Sequence, residues 1–228
     1  VVTFLREGNY ACEGNPSPES SAITVSAKKI DLSNIPISPD PKVNARRIYR
    51  TLNNGAIFFW LDDIHDNTTS TYTDNFTDQD LMGSDELSYD RWPPPKGKYF
   101  EVWDNRLWIC DGKFVYFTNT GNYEEWGSNN FLAFERREPD ELKGLRAYGD
   151  NLYVFKNRSR FKVEKQGESL YQINQLPEKI GTDCHASIVV CGVLLIWHSE
   201  FGIEVFNGIN CYRPILSRFV QRTLSTLN

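Results

Sequence analysis

Methionine occurs once in 228 residues, and the longest apolar stretch, Ile188 to Trp197, is only ten residues long. A membrane-spanning helix needs about 20, so no helical span is expected. The opening Val1-Val2-Thr3-Phe4 reads as strand rather than as a secretory leader. Because it lacks an initiating Met, the expectation is that it lies inside a longer polypeptide. Clustered basic residues are also missing. Residues 1–90 carry 7 Lys/Arg against 14 Asp/Glu, and residues 91–228 carry 18 against 16. Neutralising nucleic-acid phosphates takes grouped cations, so general nucleic-acid binding is disfavoured. No nucleophile elbow, phosphate loop, dinucleotide fingerprint or zinc-protease helix is present, so no catalytic residue and no cofactor is assigned. The paired carboxylates of a glycosidase are set by the fold rather than by linear spacing, which leaves a propeller glycosidase or lyase open. Five dispersed cysteines, an odd number, make no disulfide framework and read as reduced, packed thiols.

What is abundant is aromatic: 6 Trp, 11 Tyr and 14 Phe make up 14% of the chain. Flat side chains suit a pleated, half-buried surface better than a helix, and the expected class is all-β. From residue 98 a repeat emerges. Trp103-Asp104-Asn105-Arg106-Leu107-Trp108, Tyr148-Gly149-Asp150-Asn151-Leu152-Tyr153 and Val190-Cys191-Gly192-Val193-Leu194-Leu195 are each a turn followed by an apolar strand. Leu107, Leu152 and Leu194 serve as anchors 45 and 42 residues apart, the period of four-stranded propeller blades. Turn chemistry follows each strand: Asp111-Gly112, Asn157-Arg158 and Glu200-Phe201-Gly202, then Asn207-Gly208. About three blades are expected over 98–228, too few to close a ring. The apolar spacing from Leu216 to Leu227 predicts a short C-terminal helix.

Residues 1–76 have a different texture. Short strands, Val1–Phe4, 22–26, Lys29–Leu32, Ala45–Thr51, Ile57–Leu61 and Thr71–Thr73, alternate with Pro, Gly and Asn clusters such as Asn53-Asn54-Gly55, the pattern of a small β-sandwich. Residues 77–97, acidic and then Pro-rich, are the expected linker.

Several constellations invite a chemical reading. Cys184, His185, Cys191 and His198 are metal-ligand types, but a strand-like run separates them and their spacing is not that of a zinc knuckle. Packed thiols and hydrogen-bonded imidazoles account for them. Asp62, Asp63, Asp66, Asp74, Asp78 and Asp80 lack the glycine and closing Glu of a calcium loop and read as turn formers. The basic residues Lys156, Arg158, Arg160, Lys162 and Lys165 would form a polyanion ladder on one strand, but a hairpin turn at Asn157-Arg158 divides them. Lys156, Arg158, Arg160, Trp92 and Trp126 remain the candidate ligand or partner surface. Gly55, Gly112, Gly149, Gly202 and Gly208 are the candidate structural turns.

Glu13-Gly14-Asn15-Pro16-Ser17-Pro18, Ile30 to Pro36, Ala45-Arg46-Arg47-Ile48-Tyr49-Arg50-Thr51 and Asp66-Asn67-Thr68-Thr69 through Tyr72-Thr73-Asp74 resemble, in their order, fibronectin type III-like modules of phage tail proteins. Asn105-Arg106-Leu107-Trp108, Thr120-Gly121-Asn122-Tyr123-Glu124-Glu125-Trp126, Tyr148 to Lys156 and His185-Ala186-Ser187-Ile188-Val189 are similar to the propeller segments that follow such modules in phage virion proteins. The resemblance implies a non-enzymatic virion component similar to the nozzle or tubular proteins of short-tailed phages, assembled in the host cytoplasm. Its partners would be other tail proteins or copies of itself in a ring. A module that binds a host-surface glycan is the alternative.

Overall fold

The computed structural model of the chain describes residues 1–8, 12–23, 25, 29–53, 55–134, 140–217 and 223. Its regular structure is almost entirely antiparallel β-sheet; among the described residues a short α-helical segment begins at 215–217, one 3-10 turn spans His185–Ser187, and no barrel closes. The rest of the expected C-terminal helix, apart from Thr223, lies outside the described residues. Two compact units emerge: Val1–Pro93 with Glu124–Ser128, and Pro94–Tyr123 with Asn129–Asn228.

The first unit contains β1 (Val2–Arg6), β2 (Cys12–Glu13), β3 (Ile30–Leu32), β4 (Ala45–Thr51), β5 (Phe58–Ile64) and β6 (Tyr72–Asp74). They form a four-stranded sheet, β2-β1-β4-β5, and a two-stranded sheet, β3-β6. A β-bulge at Leu61, opposite Ile48 and Tyr49, interrupts the alternation of β5 so that both Leu61 and Ile64 join Ile48 of β4 in one core with Ile35, Leu81, Leu32 and Tyr72. The two sheets thus enclose one core, which makes a small β-sandwich. The described residues within 22–26 carry no strand, contrary to expectation. Residues 77–93, expected as linker, belong to this unit. Leu81 is buried in its core, and backbone bonds join Trp60 N–H to the Asp85 carbonyl (2.8 Å) and Leu87 N–H to that of Phe58 (2.9 Å). The acidic, turn-rich composition hid two apolar anchors, Leu81 and Leu87.

The repeat region contains β7 (Tyr99–Trp103), β8 (Arg106–Asp111), β9 (Phe114–Thr118), β10 (Trp126–Ala133), β11 (Gly144–Tyr148), β12 (Asn151–Phe155), β13 (Arg160–Lys165), β14 (Tyr171–Gln175), β15 (Val189–Cys191), β16 (Leu194–Ser199), β17 (Gly202–Phe206) and β18 (Cys211–Tyr212). Each successive set of four makes one antiparallel sheet in chain order. Two-residue hairpins open all three, with Trp103 paired to Arg106, Tyr148 to Asn151 and Cys191 to Leu194. This register aligns Leu107 and Leu152 with Leu195, one residue beyond the expected anchor. Leu152 and Leu195 are fully buried, while Leu107 and Leu194 are only half-buried. A slip of one residue exchanges the two faces of a strand, so Leu194 points away from the middle sheet.

Gly112, Gly149, Gly202 and Gly208 all have positive φ, as tight turns require, whereas Gly55 does not. Gly55 instead closes a turn by donating its N–H to the Leu52 carbonyl (2.6 Å), and a Cβ there would lie 2.8 Å from that oxygen. The closest approach is at Gly181. A side chain there would collide with the Lys156 carbonyl and with the Asn157 backbone, while the Trp197 indole donates to the Gly181 carbonyl (3.1 Å).

Candidate functional site: uncovered sheet faces

In the middle sheet, β11–β14, successive side chains go to opposite faces and both faces are covered. Leu145, Leu152, Val154, Phe161 and Val163 pack against Trp103, Trp108, Cys110, Val115 and Phe117 of the first sheet. Tyr153 and Phe155 pack against Leu195, Trp197 and Phe206 of the last. Aromatic contacts dominate both junctions. Trp108 and Phe117 lie 4.9 and 5.2 Å from Tyr171, and Phe155 lies 5.4 Å from Trp197 (centroid distances).

The outer faces of the two end sheets are also largely apolar, and among the described residues no further sheet covers them. On the first sheet Phe100 and Val102 pair with Ile109 and Leu107, and Phe114, Tyr116 and Phe131 form a ring cluster with centroids 5.8–6.1 Å apart. Phe100 is 67% exposed and Val102 53%. On the last sheet the corresponding face carries Val189, Leu194, Ile196, His198, Ile203, Val205 and Tyr212; Val189 is 49% and Tyr212 47% exposed, while Val205 is buried. No strand residue of the middle sheet is an exposed large hydrophobic; its one such residue is Leu170, in a turn.

Of the five residues expected to form a ligand or partner surface, only Arg158 and Trp92 are exposed. Lys156, Arg160 and Trp126 are buried, and this corrects the expectation that they face solvent. The hairpin turn does fall at 156–159, closed by Lys156 N–H on the Ser159 carbonyl (2.8 Å), but its flanking cations fold inward. The Arg160 guanidinium stacks on the Trp197 and Phe206 rings at 4.7 and 4.9 Å and donates to Glu178 Oε2 (3.0 Å). Its Nε and Nη1 have no hydrogen-bond partner among the described residues. Arg158 pairs with Glu200, and Trp92 N–H donates to the Trp126 carbonyl (2.8 Å).

The first unit holds a charged network that linear reading did not single out. Arg46, fully buried, donates to the Asp66 and Pro36 carbonyls (both 3.1 Å), to Asp66 Oδ1 (3.1 Å) and to the Thr69 carbonyl (2.5 Å). Arg47 grips Asp63 with Nε and Nη2 (2.7 and 2.8 Å), and Trp60 Nε1–H donates to the same carboxylate. Arg50 pairs with Asp74 and Asp78. Glu13 accepts from Thr3, Tyr49 and Arg91. The Arg-Arg-x-x-Arg run of β4, set against the aspartates of 62–78, was the available signal. Burial would raise the Asp63 pKa, but Arg47 overrides it and holds the carboxyl below its ordinary value. The Thr69 and Thr68 N–H groups and hydroxyls hold Asp66 far down, and Arg50 lowers Asp78. Burial, reinforced by Glu13, pushes the Tyr49 phenol up to about 12.

The expected packed thiols are realised fully only at Cys110, which burial pushes up to about 12. Cys184 and Cys191 are exposed, Cys12 and Cys211 half-buried, and none of the five is disulfide-bonded. His185 lies 4.7 Å from the Tyr99 ring, and burial lowers its pKa. Among the described residues no three His, Cys, Asp or Glu side chains converge as metal ligands, and no helix is long and apolar enough to cross a membrane. An open groove of about 540 Å³ lies beside Trp103, Asp150, Asn151 and Gln166. Its other walls are engaged internally: Asp104 takes Lys165 and the Tyr171 hydroxyl, and Glu164 takes Lys162 and Asn174. No protein-family model matches the chain, and no curated protein does.

Proposed function

We propose that the chain is a non-enzymatic structural component of a phage tail, a nozzle, hub or adaptor that works by protein–protein assembly. On this reading the sandwich is a fibronectin type III-like module, and the three stacked sheets are blades of an incomplete propeller. One observation carries the assembly role. Exposed apolar strand residues in the repeat region lie on the two end sheets and on none of the middle strands. A sheet with two apolar faces is stable in water only when both are covered, and contiguous exposed apolar patches mark interaction sites. The paired state of the aspartates in the first unit supports a structural use of its charges. The test is compositional. Peptides of this chain should be found by mass spectrometry in purified phage particles made by its source genome, and antibody raised to it should label the tail in micrographs. Particles lacking the chain would sink the reading.

A further inference from the structure

We infer that the repeat region associates head to tail with a second copy of itself, the outer face of one copy's first sheet covering the outer face of the other's last sheet. The inference rests on the assembly reading above and names its partner. The chain already makes this kind of junction twice. At each, the forward face of one sheet (Trp108, Cys110, Val115 and Phe117, or Tyr153 and Phe155) meets the rear face of the next (Leu152, Val154 and Phe161, or Leu195, Trp197 and Phe206). In the shared register the uncovered rear face of the first sheet places Leu107 and Ile109 where the middle sheet has Leu152 and Val154. The outer face of the last sheet places Ile196 where the middle sheet has Tyr153. One molecule therefore carries both halves of the junction, one at each end of its row of sheets.

The contact joins different patches, so it is heterologous and must either close or propagate. Two copies of the described repeat region bring six sheets together, within the four to eight at which propellers close. Both contact faces are mainly aliphatic and aromatic, with Asp111 on the first and His198 on the last as their polar strand members, so a second copy meets no ring of like charge there.

The experiment is the solution mass of the full chain by light scattering or sedimentation, over a range of concentrations. The wild-type chain should run at twice the monomer mass. Phe100→Glu on the first sheet and Val189→Glu on the last replace exposed residues, so circular dichroism and thermal melting should be those of the wild type. Each alone should weaken the dimer more than about tenfold. Mixing the two variants, separately labelled, should restore a mixed dimer, because the intact last sheet of one still fits the intact first sheet of the other. If a glutamate variant misfolds, Val102→Lys and Tyr212→Lys test the same two faces. A wild-type monomer at every concentration, a dimer that survives both substitutions, or no mixed dimer would each overturn the inference. A monomer that is nonetheless found in phage particles would overturn this pairing alone and leave the structural role standing.

Discussion

The two units solve the same problem, an antiparallel sheet with two faces, by opposite chemistry. The four-stranded sheet of the sandwich buries one face against β3 and β6, while on its other face Arg47 of β4 is held by Asp63 of β5 and Glu13 of β2. The middle sheet of the repeat region buries both faces in apolar contact. A sheet that ends a structure can meet water with paired charge. A sheet inside a stack needs another sheet on each side. The first and last repeat sheets carry the second kind of face in the position of the first kind.

The contrast is tested most severely at the stack. Trp108→Ala, which empties a fully buried site between Trp103, Phe117 and Tyr171, should cost about 3–5 kcal/mol. It should lower the unfolding transition of the repeat region in chemical denaturation. Loss spread equally over both units would break the comparison. In the sandwich the matching change is Arg46→Met. It leaves the Pro36, Asp66 and Thr69 carbonyls without their donor and should cost about 3 kcal/mol. If denaturant melts showed no loss, the guanidinium would be ornamental.

Acid should separate the units. Asp63, Asp66 and Asp78 have carboxyl pKa values held below the ordinary one. The stabilisation they give is therefore complete above that value and is lost as pH falls beneath about 4. Calorimetric melting should drop further for the sandwich than for the repeat region between pH 5 and pH 3. Alkali should act on both. Burial raises Tyr49 in one unit, and Tyr153 and Cys110 in the other, to about 12. The fold favours their neutral forms, and that advantage shrinks as pH rises from the ordinary values towards 12. The smallest effect belongs to Arg158→Ala. This exposed side chain makes one surface ion pair with Glu200, and its removal should shift stability by less than about 0.5 kcal/mol.

How far the sequence could be read follows from what each signal is made of. Turn chemistry and period are local, and they located three successive sheets and the sandwich before them. Facing is a register property. At the last sheet the pair Leu194-Leu195 offers two adjacent candidates, and only strand pairing chooses the second. Burial of cations was illegible for a similar reason. Lys156 and Arg160 look like surface charge until the Phe161, Trp197 and Phe206 rings come beside them from other strands or from the far side of the turn. The arginines of β4 were visible as a run, but their aspartate partners lie 16–28 residues away, and only folding brings them into register.

Residue 181 shows where tolerance to mutation ends. The main chain there runs so tightly against the 156–157 backbone that even a methyl group finds no room, and the Trp197 indole is tied to the same residue. Alanine, the mildest substitution available, would have to pry apart the connection between the middle and last sheets. The position should behave as a lock that accepts a single key: a library randomised at codon 181 and selected for folded protein should return glycine almost alone.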